Sequence, residues 1–247
     1  MKDIASIARE LPSLRNYSAD YLEVRLEEGE SSHITYRGRE LESIDRSSSS
    51  GGNVRAAVKG GWGFVSFNSF EQLPDRISQA ISQARYVSGD KTQLAEVRQV
   101  VDTAPAPLLH NPVGMPLAEK KALLDEYNDV IWRTSGIQTS SIGYGDAHRK
   151  VVFLNSIGSH IIQERADVTL RLNAIAAKDG DVQQVGLSLG SLGNFDKIRG
   201  LHKQVEDMSQ KAVQMLSAPH VKGGEYTVVL DPILAGVFVH EAFGHLS

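Results

Sequence analysis

A chain of 247 residues, 41% hydrophobic and 23% charged, has ordinary globular composition, which argues against disorder and allows one large domain or two small ones. A net charge of −4, with lysines and arginines interspersed among acids, argues against a nucleic-acid-binding face. The first fifteen residues carry acids and bases rather than an apolar run, so neither a signal peptide nor a membrane helix is expected and the location read from sequence is cytoplasmic. The absence of cysteine excludes disulfides and any thiolate ligand from within the chain.

Leu22, Val24 and Leu26 alternate with Glu23, Arg25 and Glu27, the period of a half-buried strand. Strands around 34–36 and 41–44 follow across Arg37-Gly38-Arg39, and Ser47 to Gly52 reads as a loop by composition. The runs 54–58 and 64–67 predict a hairpin across Lys59-Gly60-Gly61, with Trp62 and Phe64 assigned to the core. A helix closes this half, with Leu73, Ile77, Ala80, Ile81 and Ala84 on one face and Pro74 in its first turn. Residues 91–116, with Pro105, Pro107, Pro112 and Pro116, read as a connector.

A helix over about 117–133 then buries Leu123, Leu124, Tyr127, Val130 and Ile131. Strands at 142–144, 151–154 and 160–163 follow, with Gly145 to Lys150 as a hairpin tip that carries Asp146 and His148. In the longest strand Val168, Leu170, Leu172, Ala174 and Ala176 alternate with Thr169, Arg171 and Asn173. After a strand at 182–189, a long helix presents Ile198, Leu201, Val205, Met208, Ala212 and Leu216. Hairpin-joined strands with segregated helices indicate an α+β fold: antiparallel sheets with helices packed on one side, in two similar sheet-then-helix subdomains, about 1–90 and 117–218.

Tyr226 to Leu230 reads as a short buried strand, Asp231 as an N-cap, and Pro232 as the first residue of a helix carrying Ile233, Leu234, Val237 and Phe238. His240-Glu241-Ala242-Phe243-Gly244-His245 falls on the following turns. Two imidazoles and a carboxylate within six residues are the donors of a zinc site with its own general base; the alternative is a pair of surface histidines. Histidines four apart lie about 40° round an α-helix and can share an ion, whereas five apart they lie about 140° round and cannot. A π-bulge takes in about one extra residue per turn and restores the alignment. Gly244 is the residue that most readily permits it, so the helix is expected to kink or end at Phe243-Gly244.

Val228 to Pro232, followed by Gly236 to His245, strongly resembles the TldD/PmbA family, also called modulators of DNA gyrase. Asn53 to Val65 is similar to that family's glycine-bounded hairpin, and Asn155-Ser156-Ile157-Gly158 to its NS-G turn; the resemblance runs from about Tyr21 to Ser247. It implies a zinc metalloprotease of the TldD branch that hydrolyses peptides or unfolded protein segments. His240 and His245 would be the metal ligands and Glu241 the general base toward water. It further implies a cysteine as third zinc ligand, from a C-terminal domain, and members about twice this length. The implied partners are a second copy or a PmbA-type paralogue, with no direct nucleic-acid or membrane contact. On this reading residues 1–218 form the N-terminal α+β domain and 219–247 the truncated start of the metalloprotease domain. An N-terminal part ending just after HExxxH is expected to be inactive alone and to bind zinc weakly or not at all. The alternative function is a non-catalytic partner-binding or substrate-guiding module of a heteromeric complex.

The remaining groups read as structural. The glycines at 51–52 and 60–61 suit turns rather than phosphate loops, and His33, His110, His148, His160, His202 and His220 each stand alone. Glu27, Glu28 and Glu30 read as a solvated acidic patch without the ligand alternation of a calcium loop.

Overall fold

The computed structural model describes residues 3–87, 89 and 94–246, in two compact units, Met1–Leu216 and Ser217–Ser247. The first begins with helix α1 (Ile4–Glu10) and a 3-10 turn, then strands β1 (Tyr21–Arg37), β2 (Glu40–Val58) and β3 (Gly61–Phe67) and helix α2 (Leu73–Tyr86). Strand β4 (Val101–Ala104) and helix α3 (Leu117–Arg133) precede β5 (Ile137–Asn155), β6 (His160–Lys178) and β7 (Asp181–Leu192). A 3-10 turn (Phe195–Ile198) leads into helix α4 (His202–Met215).

The seven strands among the described residues lie in one sheet, ordered β3-β2-β1-β5-β6-β4, with β7 also paired to β6. Every pairing is antiparallel except β4 on β6. The fold is thus α+β with antiparallel pairing. The two runs of strands are not separate sheets, because β1 pairs with β5 from Glu23 opposite Asn155 to Arg37 opposite Ser141. Two-residue turns set the hairpin registers: Lys59-Gly60 and Asp179-Gly180 both take positive φ at each position, the backbone twist that matches antiparallel strands.

Two apolar cores sit on this sheet. Alpha-helices α1 and α2 cover Leu22, Val24, Leu26, Val54, Ala56 and Val65, while α3 and α4 cover Ile34, Tyr36, Ile142, Leu170, Leu172 and Ala174. The apolar face expected for α2 is buried in full, as is the alternating set of β6.

Several expected boundaries differ. Ser47–Gly52 is not a loop but the middle of β2, paired with β1 from Ser31 to Leu26. Gly145–Lys150 is not a hairpin tip but the middle of β5, paired on both sides. Both segments cross the gap between the two cores, where burial no longer demands apolar alternation, so composition misled. The helix expected from Ile198 begins at His202, because Gly200 takes φ of 68° between the 3-10 turn and α4. Phe64 points outward at 56% exposure, and Trp62 is only partly buried, edge-on to Tyr21 and beneath Arg55.

Candidate metal centre

In the second unit the chain from 226 to 230 forms no regular structure and pairs with no strand among the described residues, and Val229 is fully exposed. The buried strand expected there is not formed: a β-strand needs a ladder partner for its backbone groups. The helix start is formed as expected. The Asp231 carboxylate accepts a hydrogen bond from the Ile233 N–H at 2.8 Å, and Pro232 opens helix α5 (Pro232–Val239), where its missing N–H costs nothing.

The α-helical ladder then gives way to a π-helical turn over His240–Gly244. That turn brings the His240 and His245 rings to 4.6 Å between centroids, at 72° to one another. The Glu241 Oε2 lies 3.7 Å from His245 Nε2. One donor atom from each of the three residues lies within 4.8 Å of the others, and all three side chains are exposed. Nitrogens bound tetrahedrally to one zinc are about 3.3 Å apart, so the apposition is close to, but looser than, a closed site. In donor type and proximity the residues suit a zinc ion.

Gly244 contributes differently from expectation. Its φ is not positive, so the turn does not call on its conformational freedom. A Cβ built there would lie 3.3 Å from His240 Nδ1, so the missing side chain gives the His240 ring its place. Among the described residues no other group of three histidine, aspartate or glutamate side chains is gathered closely enough to hold a metal. His33, His110, His148 and His202 each face a single carboxylate.

One buried polar cluster was not apparent from sequence. Lys120 of α3 and Asp146 of β5 form an ion pair at 2.6 Å with both side chains out of contact with water. Lys120 Nζ also donates to Ser32 Oγ at 3.2 Å, and Tyr144 Oη donates to the same Asp146 oxygen. Burial, reinforced by the neighbouring Asp146 carboxylate, pushes the Tyr144 hydroxyl far above its ordinary pKa and keeps it a donor. The available signal was Lys120 in the apolar stripe with Leu124, Tyr127 and Ile131, and Asp146 in phase with Ile142 and Tyr144. The acidic patch is likewise partly neutralised: Glu27 pairs with Arg25 and Arg149, and Glu30 with Arg46.

Residues 22–88 match the family described as PmbA/TldA metallopeptidase domain 1, and residues 110–216 the PmbA/TldA metallopeptidase central domain. The class of protein is therefore that of the PmbA/TldA metallopeptidase domains, here an antiparallel α+β domain followed in the sequence by a histidine-bearing helix. The chain belongs to the PmbA/TldD family.

A metalloprotease of Synechocystis sp. is 41% identical over 251 residues, covering 99% of this chain and 54% of its own length. One of Methanocaldococcus jannaschii is 31% identical, covering 92% and 51% respectively. A zinc metalloprotease TldD homolog of Saccharolobus solfataricus is 29% identical over 45% of this chain and 25% of its own. The fold is shared with a Bacteroides thetaiotaomicron protein described as a modulator of DNA gyrase, at TM-score 0.76 and 17% identity over 100% of this chain and 58% of that one. TldE from Thermococcus kodakarensis shares it at TM-score 0.57 and 17% identity over 79% and 44%. The chain thus spans about half the length of the first two of these metalloproteases. Among the described residues no helix is long and apolar enough to cross a membrane.

Proposed function

We propose that this chain supplies two histidine ligands and the general base of a zinc peptidase acting on peptides or unfolded protein segments. The observation that carries the proposal is the π-helical turn, which sets the His240 and His245 rings 4.6 Å apart despite a spacing an α-helix would splay. Bound zinc supplies Lewis acidity toward a peptide carbonyl. Glu241, beside His245, accepts the proton of the attacking water on its carboxylate and returns it to the leaving amine. Residues 1–218 serve as the N-terminal domain and 219–247 as the start of the catalytic one, whose third ligand, a cysteine, comes from outside this sequence. Its partner, in the cytoplasm, is a second copy of the same protein or a PmbA-type paralogue. In the competing reading this chain guides substrate or binds a partner without performing chemistry.

In the peptide-cleaving protein that contains this chain, His240→Ala and His245→Ala should each abolish stoichiometric zinc. Glu241→Gln should keep the zinc and lower kcat by about 10²–10⁴-fold. Unchanged cleavage after replacement of both histidines would overturn the assignment and leave the guiding module. The chain by itself should bind zinc only weakly; tight one-to-one binding would instead make Glu241 a ligand rather than a base.

A further inference from the structure

A second site lies in the first unit, at a break in the edge of the sheet. Strand β4 pairs with β6 only as far as Ala104 opposite Gln163, and β7 pairs with β6 only from Leu192 opposite Asp167. Between the two, Glu164 and Arg165 of β6 have no strand partner on that side among the described residues, and Ala166 is held through its carbonyl by the Gly193 N–H. A cavity of about 420 Å³ opens at this notch, within the size range of small-ligand pockets. Three arginines, Arg25, Arg149 and Arg165, line it together with the apolar Val151, Pro107 and Leu192.

The guanidinium groups there outnumber the carboxylates they pair with. Arg25 and Arg149 share one carboxylate, Glu27, at 3.4 and 2.7 Å, and Arg165 holds Asp167 at 2.8 Å. Three guanidinium groups therefore meet two partner carboxylates. Glu164, which also lines the cavity, lies 3.9 Å from both Lys150 and His148. A guanidinium presents a planar fork that matches a carboxylate, and these three already hold carboxylates of the protein itself. Beside them β4 is exposed at all four residues and is the last strand on its side of the sheet path. An open strand edge recruits extended backbone.

We propose that this notch binds an extended peptide segment, its backbone at the edge of β6 between β4 and β7 and an acidic side chain or terminal carboxylate against Arg149 and Arg165. The apolar wall of Val151, Pro107 and Leu192 takes the flanking side chain. The site shares with the proposed peptidase reading only the peptide nature of its ligand, and needs no metal.

The test is a binding titration of the whole chain in EDTA with a fluorescent peptide, apolar apart from one central glutamate, against the same peptide with glutamine. The glutamate peptide should bind at least about tenfold more tightly, and rising salt should weaken it. Arg149→Gln should remove the preference. Glu27→Gln, which frees two guanidinium groups, should strengthen binding, and unchanged melting curves would show that both variants fold. Equal binding of the two peptides, or indifference to both substitutions, would overturn the proposal. So would displacement of the peptide by equimolar inorganic phosphate, which would make the notch a general anion site. Because EDTA removes zinc, failure here leaves the metal centre untouched, and loss of the metal centre leaves this binding intact.

Discussion

Lys120 is held by one carboxylate, one hydroxyl and the nearby Tyr144 ring, out of contact with solvent. Removing one charge of a buried pair leaves the other without water or counterion, at a cost of about 3–5 kcal/mol. Lys120→Met should therefore destabilise the chain by that amount in urea unfolding. Lys120→Met with Asp146→Leu should recover part of the loss, since the second Asp146 oxygen is buried without a partner even now, whereas the Tyr144 hydroxyl loses its acceptor. A single substitution costing less than 1 kcal/mol would mean that water reaches the pair. In the second unit, Gly244→Ala would press a methyl group on His240 Nδ1, so cobalt(II) affinity should fall while the melting of the first unit stays unchanged.

Strand β3 and helix α2 meet at a glycine. A Cβ on Gly63 would sit 2.7 Å from the Ala84 nitrogen and closer still to the Ala80 carbonyl, so Gly63→Ala must push backbone away and should cost about 1–3 kcal/mol or more. Gly143→Ala is the matched control. Nothing lies within 4 Å of its Cβ position, and its effect should stay within about 0.5 kcal/mol in the same denaturation assay. The elements best legible in the sequence were those with a continuous apolar face, such as α2 and β6. Residues 27–33 and 145–150 were not legible, because a strand crossing between two cores carries polar residues on both faces. At the candidate metal centre the histidine spacing foretold a departure from the α-helix. The strand before it was misread, since apolar character alone does not provide a pairing edge.

Across the molecule, Asp3 at the first helix reaches Lys150 in β5 at 2.6 Å and ties the amino terminus to the second run of strands. The hydrogen bond to Lys150 lowers the Asp3 pKa, and the same bond raises that of Lys150. The Asp3 contribution is complete above its unfolded pKa and is lost as pH falls through the folded value. The Lys150 contribution is complete below its unfolded pKa and is lost as pH rises through the folded value. Glu28 opposes them: burial, then the Asp3 charge, raise its pKa, so its ionised form costs stability once pH exceeds the folded value. Glu28→Gln should raise Tm at pH 7, and the gain should shrink to nothing below about pH 4. A gain that persists in acid would assign the effect to packing.

The pairing of β1 with β5 also governs assembly in time. Strand β1 ends at Arg37 and β5 begins at Ile137, so one side of β1 waits for about a hundred further residues before its partner is synthesised. A ribosome-bound nascent chain therefore displays an incomplete ladder, the kind of surface that chaperones shield and neighbouring polysomes entangle.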